Sequence, residues 1–375
     1  MLLFTPGPTP VRENVRQAMA EATIHHRTPE FEAIFRQTRE HLLALFGSDE
    51  VVMIAATGTG AMEAAVSNLC HHTLLSVNAG KFGERFGKIA AATGLVSVEL
   101  TYAWDTPASV DDIMAALRHN SEIDAVAVQI CESAGGLRHP VEEIAAAVKA
   151  FNPDITVIAD GITAIGVERI DVSHIDCIIA GSQKAFMLPP GLAMLGLSHA
   201  AVAKIGNGKG YYFNLASEIQ KQRQNTTAYT AATTLVIGLL EVFKTIEAYG
   251  GIGKLYCDTA RRAKAVRFAL EAIELHVYPQ SPAKAMTTID DEQASEIRTL
   301  LKETFGVNVA GGQDHLKGKI FRINQMGLID LNEMAWVLNS VELALALLGR
   351  RPYDGTANRV FNEEYFKSRL APKEN

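Results

Sequence analysis

The sequence predicts an α/β fold with a mostly parallel seven-stranded sheet in a large domain, followed by a smaller α+β C-terminal domain. Short β-branched runs alternate with Ala-rich helical stretches through the first two thirds of the 375 residues, and a mixed pattern follows. Strands separated by helices at this spacing are typical of βαβ units, which place their strands in parallel. The candidate strands are Val51–Ala55, Leu74–Val77, Val96–Leu100, Ala125–Gln129, Thr156–Ala159, Cys177–Ala180 and Met194–Leu197.

Helical periodicity fills the intervals between these strands and continues beyond them. The candidate helices are Ala61–Leu69, Phe82–Ala92, Val110–Leu117, Val141–Ala150, a segment from after Tyr229 to Tyr249, Lys254–Ile273, Glu292–Thr304 and Leu331–Leu347. Two late strands are expected, near Val307 and over Ile320–Asn324. We therefore divide the chain into an N-terminal segment (1–14), a large domain (15–250), a small domain (251–349) and a polar tail (350–375).

Composition excludes several classes of protein. The chain is 48% hydrophobic and 21% charged, which excludes disordered and collagen-like proteins. Its 35 Lys and Arg against 42 Asp and Glu give a net charge of −7, so neither nucleic acid nor an anionic membrane is an expected partner. No signal peptide or membrane span is apparent. The four cysteines lie far apart and the histidines form no cluster, so we expect a cytoplasmic protein without disulfides or a metal site.

A segment rich in glycine and threonine, Thr57-Gly58-Thr59-Gly60, connects a predicted strand to a predicted helix. Backbone N–H groups at a helix N-terminus lack intrahelical partners, and the helix dipole favours an anion there. The segment therefore has the features of a phosphate cradle, although it matches neither the Walker pattern nor the dinucleotide fingerprint. A tight turn with a helix cap is the alternative interpretation.

Two further strand ends carry ionisable residues. Asp160 follows the apolar run 156–159, at the carboxyl edge where open α/β sheets bind ligands. Lys184 follows the strand 177–180 among small and apolar residues, shortly before the Pro-Pro-Gly at 189–191. Desolvation there would lower the pKa of the lysine and make its amine reactive toward carbonyl groups. The alternative interpretations are that Asp160 forms a turn or caps a helix, and that the Lys184 side chain extends so that its amine reaches solvent.

Together these three segments match the requirements of pyridoxal 5'-phosphate. The cofactor needs a lysine for its Schiff base, a carboxylate to keep its pyridine nitrogen protonated and a helix N-terminus for its phosphate. Each of the three segments follows a predicted strand. The joint occurrence of all three segments by chance is rarer than the chance occurrence of any one of them.

The sequence resembles the class V aminotransferases, fold-type I pyridoxal-phosphate enzymes that include serine–pyruvate and alanine–glyoxylate aminotransferases. The resemblance runs from residues 4–9 (FTPGPT) through 26–31 (HRTPEF) to 318–323 (GKIFRI), and its most specific part is GSQK at 181–184 with the following Pro-Pro-Gly. It implies the fold-type I transferase fold and a homodimer with shared active sites.

The resemblance also implies which residues bind the cofactor. Lys184 carries the Schiff base, and Asp160 is the partner of the pyridine N–H. The phosphate contacts fall on Gln183 and on the loop formed by Thr57, Gly58, Thr59 and Gly60.

Three more positions are implied to surround the cofactor. Phe82 stands where many relatives stack a Trp or Tyr on the ring, so stacking is retained with less overlap; an ordinary core aromatic is the alternative. Ser133 matches a position near the phenolic oxygen of the cofactor, although the residues after it depart from the usual Ser-Thr-Gly. Thr227 is the expected contact to the phosphate of the neighbouring subunit, with Ala228 where relatives commonly carry Pro.

Arg322 is the residue expected to bind substrate. It lies on the predicted strand 320–324, and an arginine fork binds a carboxylate through two charge-assisted hydrogen bonds. An ion pair at the edge of the strand is the alternative. The resemblance also places the Gly7 backbone near the substrate, and with it the N-terminal segment near the active site.

The reaction implied is a ping-pong transamination in which Lys184 acts as the general base at the α-carbon. A dicarboxylate donor needs a second fixed cation, and no second arginine is placed for it. Alanine or serine as donor and glyoxylate or pyruvate as acceptor are therefore favoured. Aspartate remains the alternative donor, with Arg12, Arg27 or Lys81 as the possible second cation.

Two other functions are disfavoured. A cysteine desulfurase-like lyase needs a nucleophilic cysteine on a late loop, whereas the last cysteine, Cys257, lies in a predicted helix. A cofactor-binding subunit without catalysis is disfavoured because Lys184, Asp160 and Arg322 are all present.

Overall fold

The computed structural model describes residues 1–370 and has the α/β architecture that the sequence predicts. The strands within this range are β1 (Leu2–Phe4), β2 (Glu50–Ile54), β3 (Thr73–Asn78), β4 (Val96–Thr101), β5 (Ile123–Gln129), β6 (Cys131–Glu132), β7 (Leu137–Arg138), β8 (Thr156–Asp160), β9 (Cys177–Gly181), β10 (Ala193–Leu197), β11 (His276–Val277), β12 (Met286–Asp290), β13 (Val307–Gly311) and β14 (Ile320–Asn324). The helices are α1 (Glu13–Ala20), α2 (Pro29–Phe46), α3 (Gly58–Leu69), α4 (Gly83–Ala92), α5 (Val110–His119), α6 (Val141–Phe151), α7 (His199–Ile205), α8 (Leu215–Gln222), α9 (Thr233–Tyr249), α10 (Gly251–Glu271), α11 (Ala294–Glu303), α12 (Leu331–Leu347) and α13 (Thr356–Leu370).

The large sheet has seven strands in the order β2-β10-β9-β8-β5-β3-β4. Neighbours from β9 to β4 pair in parallel, whereas β10 pairs antiparallel with both β9 and β2. Because both of these pairings are antiparallel, β2 runs in the same direction as β9. The strands that end at one edge of the sheet therefore include β2, β3, β5, β8 and β9. The predicted mostly parallel sheet is confirmed. Its shared edge brings together residues that are far apart in the sequence.

Both faces of the large sheet are covered by helices, which is why its central strands are apolar throughout instead of alternating. Along β2, Val51 and Met53 belong to one hydrophobic cluster, and Val52 and Ile54 belong to another on the opposite face. Helices α2, α6 and α9 contribute to the first cluster, and α3, α4, α7 and α8 contribute to the second. The loops at the carboxyl edge therefore rest on a scaffold that is packed on both sides.

The smaller sheet has the strand order β1-β13-β14-β12-β11. Its edge strand β1 comes from the first residues of the chain and pairs parallel with β13. The sequence did not predict this strand, because three residues are too few for a recognisable alternation. From β1 the chain passes to the large domain, so the segment 1–14 connects the two parts. The domain boundaries themselves stay predictions.

The predicted polar tail carries one further helix. Helix α13 packs along α10 and buries Phe361 and Tyr365 in the hydrophobic cluster that includes residues of β12, β13 and β14. Residues 371–375 of this predicted tail lie outside the described residues. None of the helices in residues 1–370 has the length and apolarity needed to cross a membrane, and the location in the cytoplasm stays a prediction.

Candidate active site

A cleft of about 750 Å³ opens at the carboxyl edge of the large sheet. Nine of the twelve residues that the sequence analysis singles out line it: Gly7, Thr57, Gly58, Thr59, Phe82, Ser133, Asp160, Gln183 and Lys184. They come from the ends of β2, β3, β5, β8 and β9 and from the N-terminal segment. Ligand sites in open α/β sheets lie at such edges, so we take this cleft as the candidate active site.

Lys184 lies three residues beyond the end of β9, on the turn that follows this strand. Its Nζ donates a hydrogen bond to the carbonyl oxygen of Pro6 at 2.7 Å. A Cβ atom added to Gly7 would lie 2.7 Å from that Nζ, so only glycine leaves room for the lysine here. Burial lowers the pKa of Lys184 to about 8, because the charged ammonium loses its hydration. The amine is thus partly neutral near pH 8.

Asp160 is the last residue of β8, the strand adjacent to β9, and its side chain is buried. Its Oδ1 accepts a hydrogen bond from the Ile162 N–H at 2.9 Å, which is the only hydrogen bond that the carboxylate makes with residues 1–370. Burial raises the pKa of Asp160 to about 6, although the charges of Lys184 and Arg85 act in the opposite direction. A buried carboxylate with so few partners is suited to a cationic N–H donor that enters the cleft.

The N-terminus of α3 faces the cleft without a side-chain cap, since the Thr57 hydroxyl makes no capping hydrogen bond. A Cβ atom on Gly58 would lie 2.3 Å from Cδ1 of Ile162, so the close approach of these segments requires glycine. Gly60 does not line the cleft, and a Cβ atom on it would lie 2.8 Å from the Ala56 Cβ and 2.9 Å from Cζ of Phe213. An anion bound at this uncapped helix N-terminus would contact backbone N–H groups that have no intrahelical partner.

The two loops that carry Phe82 and Ser133 are joined by a residue that the sequence analysis missed. The buried Glu132 carboxylate accepts hydrogen bonds from the N–H groups of Phe82, Gly83 and Ala134 at 3.0, 2.8 and 2.9 Å. Burial raises the pKa of Glu132 to about 7. A Cβ atom on Gly80 would lie 2.5 Å from the Glu132 carboxyl carbon, so the glycines around Phe82 were the one sequence signal for this contact.

Arg322, on β14 of the small sheet, lies beside the cleft and does not line it. Its guanidinium donates hydrogen bonds to the carbonyl oxygens of Ser133, which follows β6, and of Gly311, which ends β13 of the smaller sheet. Burial lowers the pKa of Arg322 to about 10, and the nearby Arg298 acts in the same direction. Two neutral carbonyl oxygens compensate the guanidinium charge only in part, and a carboxylate would compensate it more fully.

Thr227 is the third predicted residue that does not line the cleft, after Gly60 and Arg322. It lines a different pocket with Tyr229, and its hydroxyl donates a hydrogen bond to the Tyr229 carbonyl oxygen. This position does not test the predicted role, because that role concerns the cleft of a neighbouring subunit. Arg85 is the second residue that the sequence analysis missed, since it lines the cleft and was given no role.

The residues that line the cleft fit pyridoxal phosphate. Asp160 has free capacity for a protonated ring nitrogen, and the Lys184 amine is desolvated as a carbonyl-reactive amine requires. The Oε1 atom of Gln183, a residue that lines the same cleft as the start of α3, is buried without a hydrogen-bond partner among the described residues. An amide flip would present its NH₂ group there instead, as a phosphate contact needs.

Comparison with known proteins agrees with this geometry. A family model described as "Aminotransferase class-V" matches residues 1–329. A Helicobacter pylori protein named "Uncharacterized aminotransferase" is 49% identical over 98% of this chain and 100% of its own length. The serine–glyoxylate aminotransferase of Methylorubrum extorquens is 31% identical, over 89% of this chain and 87% of that protein. The crystal structure of a subgroup IV aspartate aminotransferase from Thermus thermophilus superposes with a TM-score of 0.83 at 28% identity, covering 97% of this chain and 99% of that one.

Proposed function

The chain belongs to the class V aminotransferases, and from that premise we propose that it transfers the amino group of alanine or serine to glyoxylate or pyruvate. The family reaction is a pyridoxal-phosphate-dependent transamination between an amino acid and a 2-oxo acid. The observation that carries the assignment of the site is the single cleft lined by the Lys184 amine, the Asp160 carboxylate and the N-terminus of α3.

We assign the cofactor contacts to residues that line this cleft. Pyridoxal phosphate, when bound, supplies a group for covalent attachment of amines and an electron sink for the pair left at the substrate α-carbon. Lys184 Nζ is the attachment point, and Asp160 holds the proton on the ring nitrogen. The start of α3 and Gln183 hold the phosphate, and the Phe82 ring covers the face of the cofactor.

Lys184 also serves as the general base in this proposal. With a pKa of about 8, a substantial fraction of its amine is neutral near physiological pH and able to take the proton from the substrate α-carbon. The Pro6 carbonyl oxygen and the Gly7 backbone fix the position of Nζ when it is not attached. The same amine would deliver this proton to the cofactor carbon within the same half-reaction, and it would move a proton in the opposite direction in the complementary one. The order is ping-pong because the first oxo acid leaves before the second one binds.

The substrate carboxylate is assigned to Arg322, whose guanidinium would exchange backbone carbonyl oxygens for a carboxylate. The other cations considered for a second carboxylate support small neutral donors. Lys81 pairs with Asp314 at 2.9 Å, Arg12 donates to the Leu328 carbonyl oxygen at 3.1 Å, and none of Arg12, Arg27 and Lys81 lines the cleft. Aspartate stays the second candidate donor, because the 28% identical Thermus enzyme is named an aspartate aminotransferase.

The desulfurase alternative receives no support from the cysteines. Cys257 lies on α10, outside the cleft, and Cys131 lines the cleft with its thiol buried. Burial raises the pKa of the Cys131 thiol far above its ordinary value, so the thiolate nucleophile is not formed.

A donor series tests the proposed substrates. We expect the visible absorption band of the loaded enzyme to fade with alanine or serine and to return with glyoxylate or pyruvate, because the second half-reaction restores the starting form. Stopped-flow spectra with alanine, serine, aspartate and cysteine measure each donor, and a sulfide assay accompanies cysteine. Bleaching by aspartate alone would contradict the proposal and imply a second cation that contacts substrate.

We also propose a homodimer in which Thr227 contacts the cofactor phosphate of the partner subunit. Tyr211 and Tyr212, next to Tyr229, are large side chains with exposures of 82% and 44%, as expected of a surface that a second subunit covers. Sedimentation velocity should give a dimer, and Thr227→Val should weaken cofactor affinity several-fold while the dimer persists. A fully active monomer, or unchanged cofactor affinity in the variant, would contradict the cross-subunit contact.

A further inference from the structure

We propose that Arg85 is a binding residue of the phosphate subsite, where it supplies fixed positive charge and directs the Thr59 hydroxyl toward the phosphate. The inference rests on the proposed placement of the cofactor phosphate at the start of α3. It adds a residue to that subsite and gives a role to a cleft-lining cation that the proposed function leaves unassigned.

The first observation is the position of the guanidinium. Arg85 lies in the first turn of α4, the helix that packs beside α3, and its side chain reaches across to the start of α3. Its Nη1 donates a hydrogen bond to Thr59 Oγ1 at 2.7 Å, and both residues line the cleft. The charge is therefore located at the end of the cleft where α3 begins.

The second observation is that Arg85 has no acidic partner. It forms no ion pair with any residue of 1–370, and the adjacent Glu84 pairs instead with Lys88 at 2.7 Å. The charge of Arg85 acts on the Asp160 carboxylate without a hydrogen bond between them, and its one side-chain hydrogen bond within residues 1–370 goes to the Thr59 hydroxyl. Most of its five N–H donors are therefore free for an anion. A phosphate carries about −1.5 to −2 charges at neutral pH and is a matching ligand.

The third observation concerns the direction of the Thr59 hydroxyl. Because Oγ1 accepts a hydrogen bond from Arg85, its own proton is free to point to a different acceptor. Thr59 is the second residue of α3, beside the helix N–H groups that lack capping. Arg85 thus converts the threonine into a donor at the place where the helix also donates.

The Phe82 ring also holds the Arg85 side chain in place. Its guanidinium carbon lies 4.8 Å from the centre of the Phe82 ring, within the range of a cation–π contact. The other cationic side chain that lines the cleft, Lys184, has its amine at the Pro6 carbonyl oxygen, so it does not serve the phosphate end. Contact with Thr59 favours phosphate over a second substrate carboxylate as the ligand of Arg85.

The test compares the affinities for pyridoxal phosphate and for pyridoxal, which lacks the phosphate. In Arg85→Met the dissociation constant for pyridoxal phosphate should rise about 10- to 100-fold, as expected for a lost charge-assisted hydrogen bond, while that for pyridoxal changes less than about threefold. Inorganic phosphate should compete with pyridoxal phosphate more weakly in this variant. Arg85→Lys, which retains the charge without the fork, should give an intermediate loss and guards against a folding defect in the Met variant.

Matched controls separate the possible outcomes. Lys88→Met removes an exposed cation from the same helix and should change neither affinity. Thr59→Val combined with Arg85→Met should cost less than the sum of the single changes, because the two residues act through one contact. Equal weakening of both ligands, or an unchanged affinity together with a raised KM for aspartate, would overturn the inference. If the wild type itself failed to prefer pyridoxal phosphate over pyridoxal, the proposed phosphate cradle would fall as well.

Discussion

Replacing Lys184 by alanine is expected to lower transamination by more than about 1,000-fold, because covalent attachment and proton transfer are both lost. The measurement is the rate of the alanine–glyoxylate reaction, together with the absorption spectrum of the variant after addition of pyridoxal phosphate. We expect the cofactor to bind without the absorption band of the lysine-attached form. Substantial residual transamination would contradict the assignment.

The pH dependence of cofactor uptake tests the same residue without a substitution. Only the neutral amine attacks an aldehyde, and the Lys184 pKa is lowered to about 8 from the ordinary 10.5. The rate of attachment to the apoenzyme should therefore rise with pH and level off above about 8. A rate that still rises in proportion to hydroxide at pH 9.5 would show an ordinary lysine. Lys88→Ala, on the exposed face of α4, is the matched control. It should change neither the rate of cofactor attachment nor the rate of transamination.

The candidate site could be predicted from the strand pattern because most of its residues lie at or just after the ends of strands. Asp160 ends β8 and Lys184 follows β9, and because these two strands are adjacent and parallel, the sheet topology places the two residues at the same edge. The loop at 57–60 follows β2, which reaches the same edge through two antiparallel pairings that the sequence pattern does not reveal. For these segments the order of strands and helices determines the geometry of the site.

Two contacts could not be predicted because they depend on side chains that meet through tertiary packing. Glu132 accepts from the backbone of Phe82 and Gly83, which lie about 50 residues earlier, and Arg85 reaches Thr59 on another helix. Apart from the glycines around Phe82, nothing in the sequence separates these residues from a surface acid and a surface base. The placement of β1 in the small sheet is similar, because a three-residue strand has no periodicity to detect. Local patterns predict elements, whereas cross-element hydrogen bonds need the folded chain.

Replacing Asp160 by asparagine is expected to lower kcat about 100- to 10,000-fold, since a neutral amide does not hold a proton on the ring nitrogen. The conservative control is Asp160→Glu, which retains the charge and should recover part of the activity. The measurement is kcat across pH 5 to 9 with alanine and pyruvate. Activity in the asparagine variant within about tenfold of the wild type would contradict the role of this carboxylate.

The same substitution should have the opposite effect on the stability of the apoenzyme. Burial raises the Asp160 pKa from 3.8 to about 6, so the ionised carboxylate destabilises the folded chain, and this cost grows as pH rises between those two values. Above pH 6 the cost is on the order of 2–3 kcal/mol. Asp160→Asn should therefore raise the apoenzyme Tm more at pH 8 than at pH 5. The difference should shrink when pyridoxal phosphate is bound, because a protonated ring nitrogen offsets the buried charge only in the wild type. A stability gain independent of both pH and cofactor would indicate that Asp160 is an ordinary buried acid and not the partner of the ring.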